Sequence, residues 1–266
     1  GFTGARVLHF NLYGAQATLA RVYWMKGDLD SARIYADKVI RSNKFRFASK
    51  TSLNTFIQKT VSMEETIWGL YNAEVYSDWL TQHVRRQGLG DLTTDFKSIY
   101  AYEGPTGKKD YRLDNWFGTY NRSGTPVDIL VKVMGNVSDT TSLMTSYNGG
   151  PYLGTSMIRI PEMYYIMSEA LLATGNAEGA MEYLDAVVDA RGMEKFADRT
   201  PLVDITLSDI MAERRKEFIG EGQWWFCLKR LNSPVKLSGA TGATIPGSDK
   251  IYVLPLPVEE EDYRPE

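Results

Sequence analysis

The chain is poor in the residue types that build most small active sites. It has one cysteine, Cys227, so no internal disulfide can form and the redox compartment is not legible from sulfur. Two histidines, His9 and His83, cannot by themselves make a His-rich metal site. No run of about 18 apolar residues occurs, which excludes a spanning helix, and Gly1, Phe2, Thr3, Gly4, Ala5 and Arg6 lack the charged and apolar regions of a signal peptide. A net charge of -3 leaves no broad basic surface for phosphates, so no nucleic-acid partner is expected. No G-x-S-x-G, H-E-x-x-H, Walker A or dinucleotide fingerprint is present. Asp28-Leu29-Asp30 lacks the remaining ligands of a calcium loop and reads as turn and helix-cap chemistry. Carboxylate neighbours such as Asp91 with Asp95, or Glu259 with Glu260, read as solvated faces rather than as the two carboxylates a glycosidase holds across a cleft. The expectation is a binding protein, not an enzyme, with neither metal nor cofactor.

What is present is a globular composition: 266 residues, 43% apolar and 24% charged, enough for a sizeable core. Aromatics reach 12%, with 6 Trp, 16 Tyr and 10 Phe, suiting either a generous core or a sugar-stacking surface.

Two segments have helix-turn-helix spacing. In residues 11–41, Leu19, Ala20 and Tyr23 precede the turn Gly27-Asp28, and Ala32, Ala36 and Val39 follow it at tetratricopeptide offsets. Around Gly175-Asn176 the same offsets return Met167, Ser168, Leu171, Ala180, Leu184 and Val187. Small residues there let two helices approach closely, and two isolated repeats must pack on each other or on something else.

The stretch from Asp209 to Arg230, with Glu213, Arg214, Arg215, Glu217, Glu221, Gly222 and Trp225, resembles the C-terminal signature helix of the SusD/RagB family, I-x-x-E-R-R-x-E-[LF]-x-x-E-G-x-R-[WF]-x-D-L-[KR]-R. The closing Tyr252-Val253-Leu254-Pro255-Leu256-Pro257 resembles that family's [YL]-L-x-P-[IL]-P segment. Ala15 through Ala32 and Arg159 through Ala170 resemble two of its helical patterns, the latter with Pro161 for alanine in a first turn. Two positions of the signature depart. Trp224 and Cys227 replace an arginine and an aspartate three apart, which exchanges an ion pair for a drier contact. Over 184–192, only Leu184, Val187 and Gly192 keep an L-N-x-V-R-x-R-A-G pattern. Read without the family, a half-apolar helix bearing Glu213, Arg214 and Glu217 is a buried, charge-paired packing element.

The resemblance implies a mostly α, SusD-like helical fold: a single domain over 1–266, with a first helix pair in 1–43, a variable loop-rich section with short strands in 44–157, a second helix pair and signature helix in 158–232, and a loop and Pro-rich closing segment in 233–266. It also implies a cell-surface lipoprotein of the outer membrane that captures a poly- or oligosaccharide without turnover and passes it to a SusC-like TonB-dependent transporter. Family members carry a lipidated N-terminus and a helical first half, and neither is found here. The chain is therefore expected to expose apolar surface where those helices pack, to be a compact relative, or to be part of a longer protein. The contrasting expectation is a helical-repeat interaction scaffold or a peptide-binding uptake subunit.

Saccharide capture needs flat apolar faces beside amides and carboxylates. In the middle section Tyr76, Trp79 and His83 share a stripe if helical, and Trp116, Phe117 and Tyr120 cluster near Asp114, Asn115 and Asn121. Trp79, Tyr76, Trp116, Tyr120, Asn115 and Asp114 are the candidate ligand-binding set. The competing reading is a satellite core beneath the loops. Trp24, Tyr35 and Trp225 fall in the helices and are read as packing.

Overall fold

A computed structural model of the chain describes residues 6–53, 61–62, 64–72, 98–100, 107–122, 124–130, 132, 154–202, 204–236 and 242–255. After a 3-10 turn at Arg6–Leu8 come helices α1 (Leu12–Lys26) and α2 (Leu29–Arg41). Each helix starts at a side-chain cap: Asn11 accepts from the Tyr13 and Gly14 amides, and Asp28 accepts from Ser31. Gly27, at a φ of 78°, closes α1 in the left-handed region. Asp28 is thus the cap expected from the sequence.

The second pair is α5 (Ile160–Ala173) and α6 (Ala177–Ala190), with Pro161 in the first turn of α5 and Asn176 capping α6 through the Gly179 amide. Ser168 donates to the Ala180 carbonyl at 2.7 Å, tying the two helices together at their small-residue contact. The pairs pack on each other through α2 and α5. Ala17, Ala20, Ala32, Ala36 and Ala180 are fully buried there, where bulkier residues would hold the helices apart, and Val39, Met163, Ile166, Leu184 and Val187 fill the space between them. Each large apolar side chain in that core contributes about 1.5–3 kcal/mol of transfer free energy.

Strand β1 (Thr66–Tyr71) pairs antiparallel with β4 (Gly154–Arg159), bringing Thr66 opposite Arg159. A Cβ at Gly154 would lie 2.0 Å from the Leu70 carbonyl oxygen, so this close approach needs glycine. β4 runs without a loop into α5, which fixes Arg159 at the strand-helix junction. The one-turn helix α3 (Lys50–Leu53) precedes β1, and between the two strands lie the short α4 (Tyr111–Trp116) and a hairpin of β2 (Phe117–Arg122) and β3 (Thr125–Leu130). The hairpin turn falls at Gly124, which adopts a left-handed φ of 92°. Ala48, Leu53, Trp116 and Leu130 form a separate small core beneath it.

The signature segment corrects one expectation. It is two helices, α7 (Leu207–Glu217) and α8 (Gln223–Arg230), because Gly220 and Gly222 adopt left-handed φ values of 76° and 72° and turn the chain between them. Thr206 and Asp209 cap α7 reciprocally. A two-residue ladder of β5 (Val235–Lys236) and β6 (Thr244–Ile245) and the one-turn α9 (Asp249–Tyr252) follow. Trp225 is half exposed and packs on Tyr252 at 5.1 Å. Trp224 and Cys227 line one small cavity with Leu207, Met211 and Leu228, an apolar setting as expected for the exchanged pair.

Candidate functional site

The buried face of α7 organises a charge network through the centre of the molecule. Glu217 accepts from Arg159 at 2.7 Å, from Arg191 at 2.8 and 3.0 Å and from Arg112 at 3.2 Å. Glu65, at the start of β1, bridges Arg159 and Arg191 at 2.8 Å each and accepts from the Ala48 amide. Arg112 continues the network to Asp110 at 2.7 Å and to Glu213 at 2.8 Å, and Glu213 also pairs with Lys216. Burial alone pushes the Glu217 carboxyl up, but Arg191, Arg159 and Arg112 overcome it and hold the group well below the usual carboxylate range. Glu213 and Glu217, four apart on one face, tolerate each other because Arg112 lies between them. This is the charge-paired packing role the sequence indicated for the helix.

At its edge the network opens into a cavity of about 680 Å³ between α1, β4 and the α7–α8 turn. The apolar wall is made by Val22, Trp24, Met25, Met157 and Phe226, with Phe226 53% exposed. The polar wall carries Arg21, Lys26, Lys132, Arg159, Arg214, Glu162, Glu221 and Gln223, together with backbone of Gly154–Met157. Arg159 and Lys132 both hold Glu221, at 2.6 Å each, and Lys132 also donates to the Glu217 carbonyl at 2.7 Å while lying 4.0 Å from the Trp116 ring. Burial lowers the Lys132 pKa to about 8 despite Glu221. Arg21 grips Glu162 through two nitrogens at 2.8 and 2.5 Å and donates to the Met157 carbonyl at 2.7 Å. Burial would raise Glu162, and Arg21 with Arg214 brings it below its ordinary range.

Arg214 is nearly fully buried, lies 4.1 Å from the Trp24 ring and reaches Glu162 only at 3.4 Å. Arg230 lies 4.2 Å from the same ring and pairs with Glu169, which also accepts from Trp24 Nε1 at 2.6 Å. A preformed concavity that mixes apolar side chains with several donors suits a polyhydroxylated ligand that has flat apolar faces.

Of the six sequence-selected residues, the described side chains Trp116, Asn115 and Asp114 do not line the cavity. Tyr76 and Trp79 lie outside the described residues, and Tyr120 sits on β2 with its side chain likewise outside them. Trp116 is fully buried in the small core, and Asn115, also buried, donates to the Tyr111 carbonyl at 2.6 Å. Asp114 is exposed. In this arrangement Trp116 offers no free ring face to a ligand. Tyr100 is also buried, its hydroxyl donating to the Lys216 carbonyl at 2.8 Å. The cavity residues escaped selection because they come from helices read as packing elements, Trp24 among them. Arg191 went unassigned because its arginine stands one position beyond the family's pattern. Among the described residues no group of three or more His, Cys, Asp or Glu side chains could hold a metal, and no helix is long and apolar enough to cross a membrane.

Residues 139–245 match the sequence profile of the SusD family. No curated protein matches the sequence. Solved structures do. A SusD superfamily protein from Bacteroides thetaiotaomicron aligns at a TM-score of 0.72 and 23% identity, covering 95% of this chain and 59% of that one. A SusD-like carbohydrate binding protein from Bacteroides vulgatus aligns at 0.66 and 18%, covering 94% and 57%. Surface glycan-binding protein A from Bacteroides uniformis aligns at 0.62 and 19%, covering 85% and 50%. The chain thus spans between half and three fifths of the length of these proteins. The family match over residues 139–245 and the alignment of the helix pairs and the α7–α8 segment with these structures show that the chain has a SusD-like fold.

Proposed function

We propose that this protein captures a glycan or oligosaccharide without chemical turnover, and that the cavity between α1, β4 and α8 is a place where it is held. The observation that carries this reading is the cavity itself, which gathers Phe226, Val22 and Met25 with Arg21, Lys26 and Gln223 around one concavity. Apolar contact with sugar C–H faces and charge-assisted hydrogen bonds to hydroxyls are the two interactions saccharide recognition needs. Relatives described as a carbohydrate binding protein and a surface glycan-binding protein support it by analogy of fold. Following the family, the protein would act at the outer-membrane surface on a lipid anchor and deliver its ligand to a SusC-like TonB-dependent transporter. Tyr76, Trp79 and Tyr120 are proposed as additional stacking residues from the variable section, and Asp114 as a hydrogen-bonding one.

A glycan array scored with wild type, Phe226→Ala and Trp79→Ala tests this. The reading expects one polysaccharide class to bind and at least one substitution to abolish that binding with folding intact. An array on which nothing binds contradicts it.

A second reading is favoured by one observation. Leu12, Leu19 and Val22 are exposed along one side of α1, as is Ile34 on α2, so the repeat helices present apolar surface. That is where an interaction scaffold would dock a partner or peptide. Pull-down by immobilised SusC-like transporter that is lost in Leu19→Asp, with saccharide binding unchanged, would support it.

A further inference from the structure

The polar wall of the cavity is not charge-balanced. Two guanidiniums, Arg21 and Arg214, share a single carboxylate, Glu162, and Arg21 takes the better part of it, in two hydrogen bonds against one long contact from Arg214. Arg214 is only 1% exposed, yet among the described residues its Nε and Nη1 have no hydrogen-bond acceptor. A buried guanidinium in this state keeps its desolvation cost with little to offset it beyond the Trp24 ring 4.1 Å away. Gln223 already leans its amide on Glu162 at 3.4 Å, and Lys26, exposed on the last turn of α1, adds positive charge at the rim. The other carboxylate of the cavity, Glu221, is taken by Arg159 and Lys132 and does not compensate this end. In a chain that is acidic overall, the cavity wall carries five cationic side chains, Arg21, Lys26, Lys132, Arg159 and Arg214, against the two carboxylates.

We propose that the ligand held in this cavity is an acidic saccharide, whose carboxylate or sulfate group seats beside Arg21 and Arg214 while its ring lies along Phe226 and Met25. This rests on the reading of the cavity as a saccharide site. An anion there supplies the acceptor that Arg21 and Arg214 divide unequally between them. A neutral sugar supplies only hydroxyls, which are weaker acceptors for guanidinium. The two cations are also fixed in place by Glu162 and Trp24, so little side-chain entropy is lost when the anion arrives.

The test is isothermal titration of three tetrasaccharides at low and at physiological salt: tetragalacturonate, which carries carboxylates; a κ-carrageenan tetrasaccharide, which carries sulfates; and neutral maltotetraose. At least one of the charged ligands is expected to bind about tenfold tighter than maltotetraose, the size of one charge-assisted hydrogen bond, and to weaken as salt is added. Which of the two binds identifies the group. Arg21→Met and Lys26→Ala, both partly or fully exposed and compatible with folding, should each reduce that preference, with Arg21→Met nearly removing it. Arg214→Met is measured alongside, with circular dichroism to confirm its fold. If maltotetraose binds as tightly as the charged ligands, and Phe226→Ala abolishes that binding, the acidic class is wrong while capture in the cavity stands. If none of the three binds, or the preference survives Arg21→Met, the acidic class is overturned. A glycan-array signal insensitive to Phe226→Ala removes the cavity reading beneath it.

Discussion

Glu217 is the residue on which most of the buried charge converges. Its four contacts with Arg159, Arg191 and Arg112 come from β4, from the end of α6 and from α4, so removing it takes one carboxylate partner from three buried guanidiniums at once. Glu217→Ala is expected to destabilise by about 3–5 kcal/mol, as buried pairs broken on one side do, read from the urea midpoint. A midpoint within error of wild type would mean that the network is compensated elsewhere. Trp116 makes the opposite point about function. Fully buried against Ala48, Leu53 and Leu130 and covered by Lys132, it should cost about 3–5 kcal/mol on truncation to Ala and leave the saccharide affinity of the folded fraction unchanged. Titration calorimetry of the folded variant checks the second half, and a lost affinity would restore Trp116 as a stacking platform. At this scale the sequence was a partial guide. It showed that Glu213, Arg214 and Glu217 form a charge-paired face, because their spacing is local. It could not show that Arg112 and Glu65 complete the pairing, because those residues stand more than a hundred positions away and have no periodicity to announce them. Nor does a cluster of Trp, Phe and Tyr near Asn and Asp distinguish a platform from a small core, since both use the same residues.

At the scale of elements, the helix pairs were the most legible feature. Ala20, Ala32, Ala36 and Ala180 mark close helix crossings, and Asn11, Asp28 and Asn176 mark starts, all within a few residues of the structure they cause. The α7–α8 break was less legible: Gly220 and Gly222 are visible, but the charged and apolar positions continue at helical spacing across them. Two glycines with nearly equal φ separate conformational from steric effects. Gly27 closes α1 at 78° with open space where a Cβ would be, whereas Gly192, at 80°, would place a Cβ 2.3 Å from the Tyr111 ring. Gly27→Ala should therefore cost about 1–2 kcal/mol, the left-handed penalty alone. Gly192→Ala should cost clearly more, since Tyr111 begins α4 and its displacement reaches Arg112. Equal thermal shifts for the two would contradict a close approach at Gly192.

For the whole molecule, the network makes stability rise with pH in two separate windows. Glu162 and Glu217 titrate below their ordinary value of 4.5 in the folded state. The unfolded chain then binds more protons on acidification, so their contribution is present above about pH 5 and lost as pH falls through the folded-state values. Urea midpoints should drop between pH 6 and 4, and Glu162→Gln should show a shallower drop than wild type; parallel curves would contradict the assignment. Lys132 acts with the same sign in a higher window. Its folded value of about 8 lies below the ordinary 10.5, so the unfolded chain holds the extra proton between them, and its contribution rises with pH across that window. Wild type should gain on Lys132→Met from pH 8 to 10, by the same measurement.

The central claim is that the cavity between α1, β4 and α8 receives the saccharide. It is tested most directly by titrating the strongest array ligand into isotope-labelled protein and mapping amide shifts. The account predicts saturable shifts concentrated at Met25, Lys26, Gly154–Met157, Gly220–Gln223 and Phe226, abolished in Phe226→Ala. Saturable shifts confined to other parts of the chain, with these amides unmoved, would contradict it.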